Sequence, residues 1–484
     1  MGRLIEKYKN LSTTARASIW FVFCNLMMKG ISVITVPFFT RLLTTEEYGT
    51  YSLYLSWFNI LTIFTSLYLY YGVFNNALNR IRDPEGRDVY VSSMQGLTTV
   101  LVLILTALFL PLQGFWSSVL RLETPVLCLL LLHLWVEPCA QFWLARQRFE
   151  FRYRHAVAIT LAKSFLNPAL GFFLVLQVQK GQGRDFARIV SVVLAELLVA
   201  GAIMVLQYCR GKTFFHREHW KYALSFNIPL LPHYLSMVML SQADRVMIER
   251  MTGKGNVGIY SVAYSIGMLV QLFTNAINSS LTPWTYDKLN RKDHAAIRKN
   301  TTLLLLFLAG IILCMLLFVP EAVAVFGDRS YEEAVYVVPP VACSVFFIFL
   351  YNIFAIPQMY LERQKFMSVA SAAAALLNLV LNYIFIRRYG YIAAGYTTVA
   401  CYLFYSAGHY VFCRKACLEE TGRFDLYDGR TVLLISAAVL AVSVGVNFLF
   451  PFRLVRYLLI FAAALMMWKY RRTILGFFAR PGKK

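Results

Sequence analysis

Long apolar runs alternate with short charged stretches along almost the whole chain. Read between this charged punctuation, the runs give about fourteen spans, near residues 17 to 40, 48 to 74, 89 to 112, 124 to 144, 155 to 178, 188 to 208 and 222 to 243 in the first half. In the second half they fall near 258 to 281, 301 to 320, 335 to 359, 367 to 386, 391 to 412, 431 to 450 and 454 to 468. Runs of roughly 20 apolar residues match a bilayer core of about 30 Å when helical. The pattern therefore predicts an all-α, polytopic membrane protein with short connections.

Composition sharpens this picture. Of 484 residues, 58% are hydrophobic and 15% charged, which leaves no room for a sizeable soluble domain. The first residues, "MGRLIEKYKN", are basic and polar, and no short apolar region with a small-residue cleavage site follows, so the first helix is expected to stay. With short loops, Lys and Arg bias orients the chain. Placing both termini in the cytoplasm puts about 32 of the 47 cationic residues inside and about 13 outside, with Lys29 and Lys163 mid-membrane. The net charge of +22 is thus mainly a topology signal, and no soluble module is left to bind nucleic acid.

The chain also repeats itself. "YGTYSLYLS" (Tyr48–Ser56) resembles "VGIYSVAYS" (Val257–Ser265), "LARQRF" (Leu144–Phe149) resembles "LERQKF" (Leu361–Phe366), and "LNPALGFF" from Leu166 matches "LNLVLNYI" from Leu377 more loosely. Both Arg-Gln-basic-Phe copies fall in cytoplasmic loops, so the halves point the same way. Such parallel repeats form two lobes facing a central cavity and rock between inward-open and outward-open states. The expected organisation is a six-helix lobe over residues 1–215, a second over 216–417, and two further helices with a basic tail over 418–484. Those last helices carry no charged residue between Arg430 and Arg453, or between Arg456 and Lys469, and read as a lipid-facing appendage.

Charges inside the membrane are expensive, and each needs a reason. Lys29 lies near the bilayer midplane, where it costs at least ~2.5 to 3.5 kcal/mol. Asn25 and Ser32 share its face, so the first helix carries a polar stripe that should face protein or water. The fifth span repeats the device with Thr160, Lys163, Ser164 and Asn167, followed by Pro168. His233 precedes Asp244 and Arg245 in the seventh span, and Gln271, Asn275 and Asn278 form a stripe on the eighth. Acids are present as Glu137, Glu196 and Asp244. One reading pairs the lysines with these acids to hold helices together. The other leaves Lys29 and Lys163 unpaired in a watery, cationic cavity that takes an anionic substrate, with Asn25, Asn167, His233, Arg245, Gln271 and Asn275 contributing to the site. Glu137, Glu196 and Asp244 are then candidates for coupling to a proton or sodium gradient.

Other chemistries lack a signature. The nine cysteines are scattered singly, and the His409, Cys413, Cys417 grouping at one helix end makes no metal site, so no disulfide framework, metal or cofactor is expected. Gly211-Lys212-Thr213 lacks the first glycine and the strand of a phosphate-binding loop, and "HREH" from His216 lacks helical zinc spacing. No enzyme is indicated.

Three stretches, "VPFFTRLLTTEEYGTYSLYLS" (Val36–Ser56), "ADRVMIERMTGKGNVGIYSVAYSIG" (Ala243–Gly267) and "LNYIFIRRYGYIAAGYTTVACYLF" (Leu381–Phe404), resemble the polysaccharide flippase branch of the multidrug/oligosaccharidyl-lipid/polysaccharide exporter superfamily. The resemblance implies movement of undecaprenyl-pyrophosphate-linked oligosaccharide from the inner to the outer leaflet of a bacterial cytoplasmic membrane, with membrane lipids, a polysaccharide polymerase and chain-length machinery as partners. It also implies that Lys29 and Lys163 hold the pyrophosphate. The family commonly has twelve spans, so the last two here depart from its pattern. A peptidoglycan-precursor (lipid II) flippase and a cation-coupled multidrug antiporter of the same superfamily are the alternatives; the antiporter's cavity should present carboxylates rather than lysines.

Overall fold

The computed structural model describes residues 12–363, 365–421, 424–462 and 465. Among these every regular element is helical and none is a strand. They fall into two compact units dividing between Ser261 and Val262. Among the described residues ten helices are long and apolar enough to cross a membrane, or eleven if the bent pair described below counts as one span. The stretches expected at 48 to 74 and 391 to 412 are largely helical too, but their many Ser, Thr and Tyr side chains make them less apolar. The expected last span, 454 to 468, lies in large part outside the described residues.

The first unit contains α1 (Thr13–Leu42), α2 (Thr45–Ser66), α3 (Gly72–Arg80), α4 (Pro84–Phe109), α5 (Gln113–Leu120), α6 (Thr124–Phe149), α7 (Tyr153–Leu176), α8 (Arg184–Gly211) and α9 (Arg217–Thr252). α10 (Lys254–Gly267) runs across the division. Local chemistry sets the helix starts. Thr44 caps α2 in a reciprocal box, its side chain accepting from Glu47 N at 3.1 Å while Glu47 Oε2 accepts from Thr44 N at 2.8 Å. The other oxygen of this buried Glu47 accepts from Gly181 N and Arg184 N at 3.0 and 3.1 Å, so one carboxylate fixes the starts of both α2 and α8. Asp83 caps α4 with Pro84 in the first turn.

Irregularities inside the helices fall near polar residues. Pro37, Pro138 and Pro168 interrupt α1, α6 and α7, and each removes one backbone donor. A π-helical turn, Leu197–Gly201, directly follows Glu196 in α8. In α9 a 3-10 turn, Ile228–Leu230, occupies the Pro229 region.

The first sequence repeat has a structural counterpart. Gly49 of "YGTYSLYLS" and Gly258 of "VGIYSVAYS" face each other where α2 meets α10. A Cβ on Gly49 would lie 1.9 Å from Lys254 O, and one on Gly258 would lie 2.2 Å from Thr45 O. Only glycine permits so close an approach of two backbones. α9 packs on α2 as well, with Ser56 Oγ donating to Gln242 Oε1 at 3.2 Å, so the first compact unit extends past residue 215.

The second unit contains α11 (Val270–Asn290), α12 (His294–Leu317), α13 (Val319–Phe326), α14 (Val338–Tyr360), α15 (Lys365–Tyr389), α16 (Ala393–Thr421) and α17 (Gly429–Gly445). The single run expected at 258 to 281 is instead α10 and α11, bent by 43° at a short break. α14 is the centre of this unit. Its Phe346, Phe347, Phe349 and Phe354 are fully buried, and its Gln358 amide lies 3.1 Å from His409 Nδ1 of α16. The charge that reads as a boundary marker before the last span, Arg456, is buried. It donates to both oxygens of Glu321 at 2.7 and 2.9 Å and to Leu317 O at 2.7 Å, so the segment after α17 is tied to the end of α12. The Arg456 guanidinium holds the Glu321 carboxyl below its ordinary range.

Candidate functional site in the first unit

A cavity of about 390 Å³ opens inside the first unit, with walls from α1, α2, α6, α7 and α8. Three cationic residues line it, Arg148, Lys163 and Arg188, beside the polar Tyr51, Ser164 and Asn167. No aspartate or glutamate is among the lining residues.

Arg188 is the most constrained of the three. It is buried one turn into α8, stacked 4.1 Å from the Phe39 ring and 5.0 Å from the Tyr51 ring. Its Nη1 donates to Ser191 Oγ at 2.9 Å and to Asn167 O at 3.4 Å, and Nη2 donates to Tyr51 OH at 3.3 Å. Among the described residues no carboxylate lies within ion-pair reach of it. Gly171 on α7 makes room for this arrangement, because a Cβ there would lie 2.6 Å from Arg188 Nη1. A buried guanidinium held by neutral acceptors keeps its charge uncompensated, which suits a polyanionic oxygen ligand.

Lys163 differs from the expectation. Its ammonium is not unpaired but lies 2.7 and 2.5 Å from the two oxygens of Glu196, so for this lysine the helix-pairing reading holds. The reason lies with the acid, because Glu196 is buried on α8 and an isolated carboxylate there would be very costly. Behind the pair, His133 Nε2 lies 3.9 Å from Glu196 Oε2, and His133 Nδ1 shares a 2.9 Å hydrogen bond with Tyr54 OH. Glu137, one turn after His133, accepts from Gln141 at 2.7 Å through one oxygen, while its other oxygen is buried with no partner.

The remaining sequence candidates are distributed more widely. Asn167 lies on the cavity wall. Lys29 and Asn25 are exposed on α1 and do not line this cavity, although Met28, Ile31 and Ser32 do. Lys29 has no hydrogen-bond or ion-pair partner among the described residues, but it does not line the cavity that its stripe is expected to face. His233 is half-buried on α9 against Tyr234. Asp244 accepts from Tyr260 OH at 2.6 Å, and Arg245 donates to Ser241 O and Ser261 Oγ at 3.0 and 3.2 Å, so both are engaged within the first unit, away from the cavity lining. Gln271 and Asn275 belong to the second unit, half-buried and exposed respectively on α11.

Sequence reasoning missed Arg188, Tyr51, His133 and Tyr54. The hydropathy pattern starts the sixth span at residue 188, so Arg188 reads as a boundary charge, whereas α8 begins at Arg184 and carries it inward. Tyr51 and Tyr54 lie in the repeated "YGTYSLYLS" word, a signal that was available. His133 stands alone in an apolar run and gives none.

The polysaccharide biosynthesis protein family matches residues 14–287, more than half of the chain, and MatE matches residues 229–384. A curated relative, the Lsg locus putative protein 1 of Haemophilus influenzae, is 22% identical over 290 residues, which cover 57% of this chain and 66% of that protein. The probable low-salt glycan biosynthesis flippase Agl15 of Haloferax volcanii is 21% identical over 79% of this chain and 80% of its own length. Among solved structures, the lipid II flippase MurJ in an inward closed conformation superposes with a TM-score of 0.70 at 12% identity, covering 94% of this chain and all of that one, which is a likeness of fold. The extent of the family match and the shared fold together decide the assignment: the chain belongs to the polysaccharide biosynthesis protein family, in the polysaccharide flippase branch of the multidrug/oligosaccharidyl-lipid/polysaccharide exporter superfamily.

Proposed function

We propose that the chain is a flippase that moves undecaprenyl-pyrophosphate-linked oligosaccharide repeat units from the inner to the outer leaflet of a bacterial cytoplasmic membrane, for cell-surface polysaccharide biosynthesis. The observation that carries this reading is the cavity whose lining holds Arg148, Lys163 and Arg188 and no carboxylate. Guanidinium and ammonium groups bind phosphate oxygens, and Tyr51, Ser164 and Asn167 add neutral donors and acceptors for polar groups beside them. Such a carrier works by alternating access of two six-helix lobes, 1–215 and 216–417, with 418–484 outside that cycle and both termini in the cytoplasm. The lipid tail stays in the bilayer while the charged head crosses. Moving an anion outward across an inside-negative membrane is favourable by up to about 2.3 kcal/mol per charge per 100 mV, less the charge that the lysines carry back. Glu137, Glu196 and Asp244 are the acids available for coupling to an ion gradient. The activity is transport rather than catalysis, and polymerase and chain-length proteins are the expected partners.

A lipid II flippase is the second reading, favoured by the fold shared with MurJ and by the same demand for a pyrophosphate site. A multidrug antiporter fits less well, because its cationic cargo would meet the guanidinium groups of Arg148 and Arg188 on a lining without a carboxylate.

Lys29, which lies outside the cavity lining, tests at low structural risk whether the path of the anion extends beyond the cavity along α1. Its side chain is exposed and unpartnered among the described residues, so its removal should not disturb the fold. Lys29→Ala is expected to abolish polysaccharide display at unchanged membrane abundance, and Lys29→Arg to keep part of it. Display scored against immunoblotted protein is the measurement; full display in the alanine variant would remove Lys29 from that path.

A further inference from the structure

We infer that Glu196 is a built-in competitor for the anion site: Lys163 serves either Glu196 or a bound anion, and the exchange is accompanied by uptake of one proton on the Glu196–His133 pair. The inference rests on the reading that an anion occupies the cavity, and adds to it a linkage between cargo and protons.

The geometry makes Lys163 the junction. Its side chain is 30% exposed and lines the cavity, whereas Glu196 is buried and does not line it. The ammonium is a single point charge on a flexible stem, and both Glu196 oxygens already lie 2.7 and 2.5 Å from it. A dianionic phosphate arriving in the cavity would set two carriers of negative charge against one ammonium in a low-dielectric interior. The anion wins Lys163 only if Glu196 is relieved of its charge or given another counterion.

The surroundings of Glu196 limit how that happens. Among the described residues, the charged neighbour that α7 supplies is Lys163 itself. From α6 come His133, with Nε2 at 3.9 Å, and the nearby Glu137 and Cys139, of which Glu137 adds further negative charge. From α2 comes Tyr54, bonded to His133. On α8 itself Arg188 lies two turns earlier, its Nη atoms donating to Ser191, Asn167 and Tyr51 rather than to Glu196. Arg148 of α6 lines the same cavity but is not within ion-pair distance of Glu196, so among the described residues no second cation replaces Lys163 at this carboxylate. The balance closes with a proton drawn from water, held on the Glu196 carboxylate or on His133, whose imidazolium would then face Glu196. Before the exchange the site holds Lys163 and Glu196 as an ion pair; afterwards Lys163 pairs with the anion and the acid–imidazole pair holds one more proton. When the anion leaves, the proton is released and the pair re-forms, so a deprotonated Glu196 promotes discharge of cargo.

The test uses the full chain in lipid nanodiscs with inorganic pyrophosphate as the probe. Calorimetry in buffers of different ionisation enthalpy counts protons taken up on binding. The wild type is expected to take up about one proton more per pyrophosphate than Glu196→Gln, and to lose affinity more steeply as the pH rises, by up to tenfold per unit. Glu196→Gln is expected to bind at least about tenfold more tightly near pH 8. A second readout needs no variant: infrared difference spectra of the wild type should show a protonated carboxyl or an imidazolium band appearing with pyrophosphate. Binding with equal proton counts and equal pH slopes in the two proteins, or binding with neither band, overturns the inference while leaving the anion site standing. Absence of pyrophosphate binding to both proteins overturns the anion site and the inference with it.

Discussion

Arg188→Ala is expected to weaken pyrophosphate binding by roughly 10- to 100-fold and to reduce polysaccharide display to background. Charge-assisted hydrogen bonds contribute about 1.5–3 kcal/mol each, and about 1.4 kcal/mol is a tenfold change in affinity. Arg188 commits its bonds to Ser191, Tyr51 and the Asn167 carbonyl, all neutral, so its positive charge remains available to a ligand. Arg188→Lys keeps the charge but loses the planar fork and the stacking on Phe39, and should recover only part of the affinity. Calorimetry with pyrophosphate checks the first claim and display per unit of membrane protein the second. Unchanged affinity in the alanine variant would mean that the guanidinium only braces α7 against α8.

Lys163→Ala should fail in two ways at once. It leaves Glu196 buried without its counterion, and breaking a buried pair from one side costs about 3–5 kcal/mol. Because the Lys163 side chain is 30% exposed, part of that cost is relieved by water, and about 2–3 kcal/mol is the expected loss. It also removes one of the three cations of the cavity. The two effects separate in a paired replacement. Lys163→Met combined with Glu196→Gln removes both charges, so thermal unfolding in detergent should return close to the wild-type midpoint while transport stays lost. Recovery of transport together with stability would assign the pair a purely structural role.

These residues show how far the sequence could be read. Apolar runs placed the helices well because crossing a bilayer demands length and hydropathy, both of which are local properties. The expected run at 258 to 281 shows the limit: hydropathy is continuous through residues 267 to 270, yet the chain bends there by 43°. Pairing is the harder problem, because it depends on which faces of neighbouring helices meet. Lys163 and Glu196 lie on α7 and α8, and nothing in the spacing of either helix says that their side chains converge. Arg456 is a similar case. It reads as a charge at the edge of a lipid-facing span, but it is buried against Glu321 and Leu317, which anchors the segment beyond α17 to the second unit. The internal repeat carried more than topology. Its shared glycine became the contact of Gly49 with the α10 backbone, and Tyr51 of the same word became a partner of Arg188.

The most direct measurement is leaflet exchange in liposomes. The purified chain is reconstituted with fluorescently labelled undecaprenyl-pyrophosphate oligosaccharide, and the fraction of label open to an added quencher is followed over time. Wild-type protein should carry label between leaflets, while Arg188→Ala at equal reconstitution should leave it at the rate of protein-free vesicles. Equal exchange by the two proteins, or no exchange by the wild type, would contradict a flippase built on this cationic cavity.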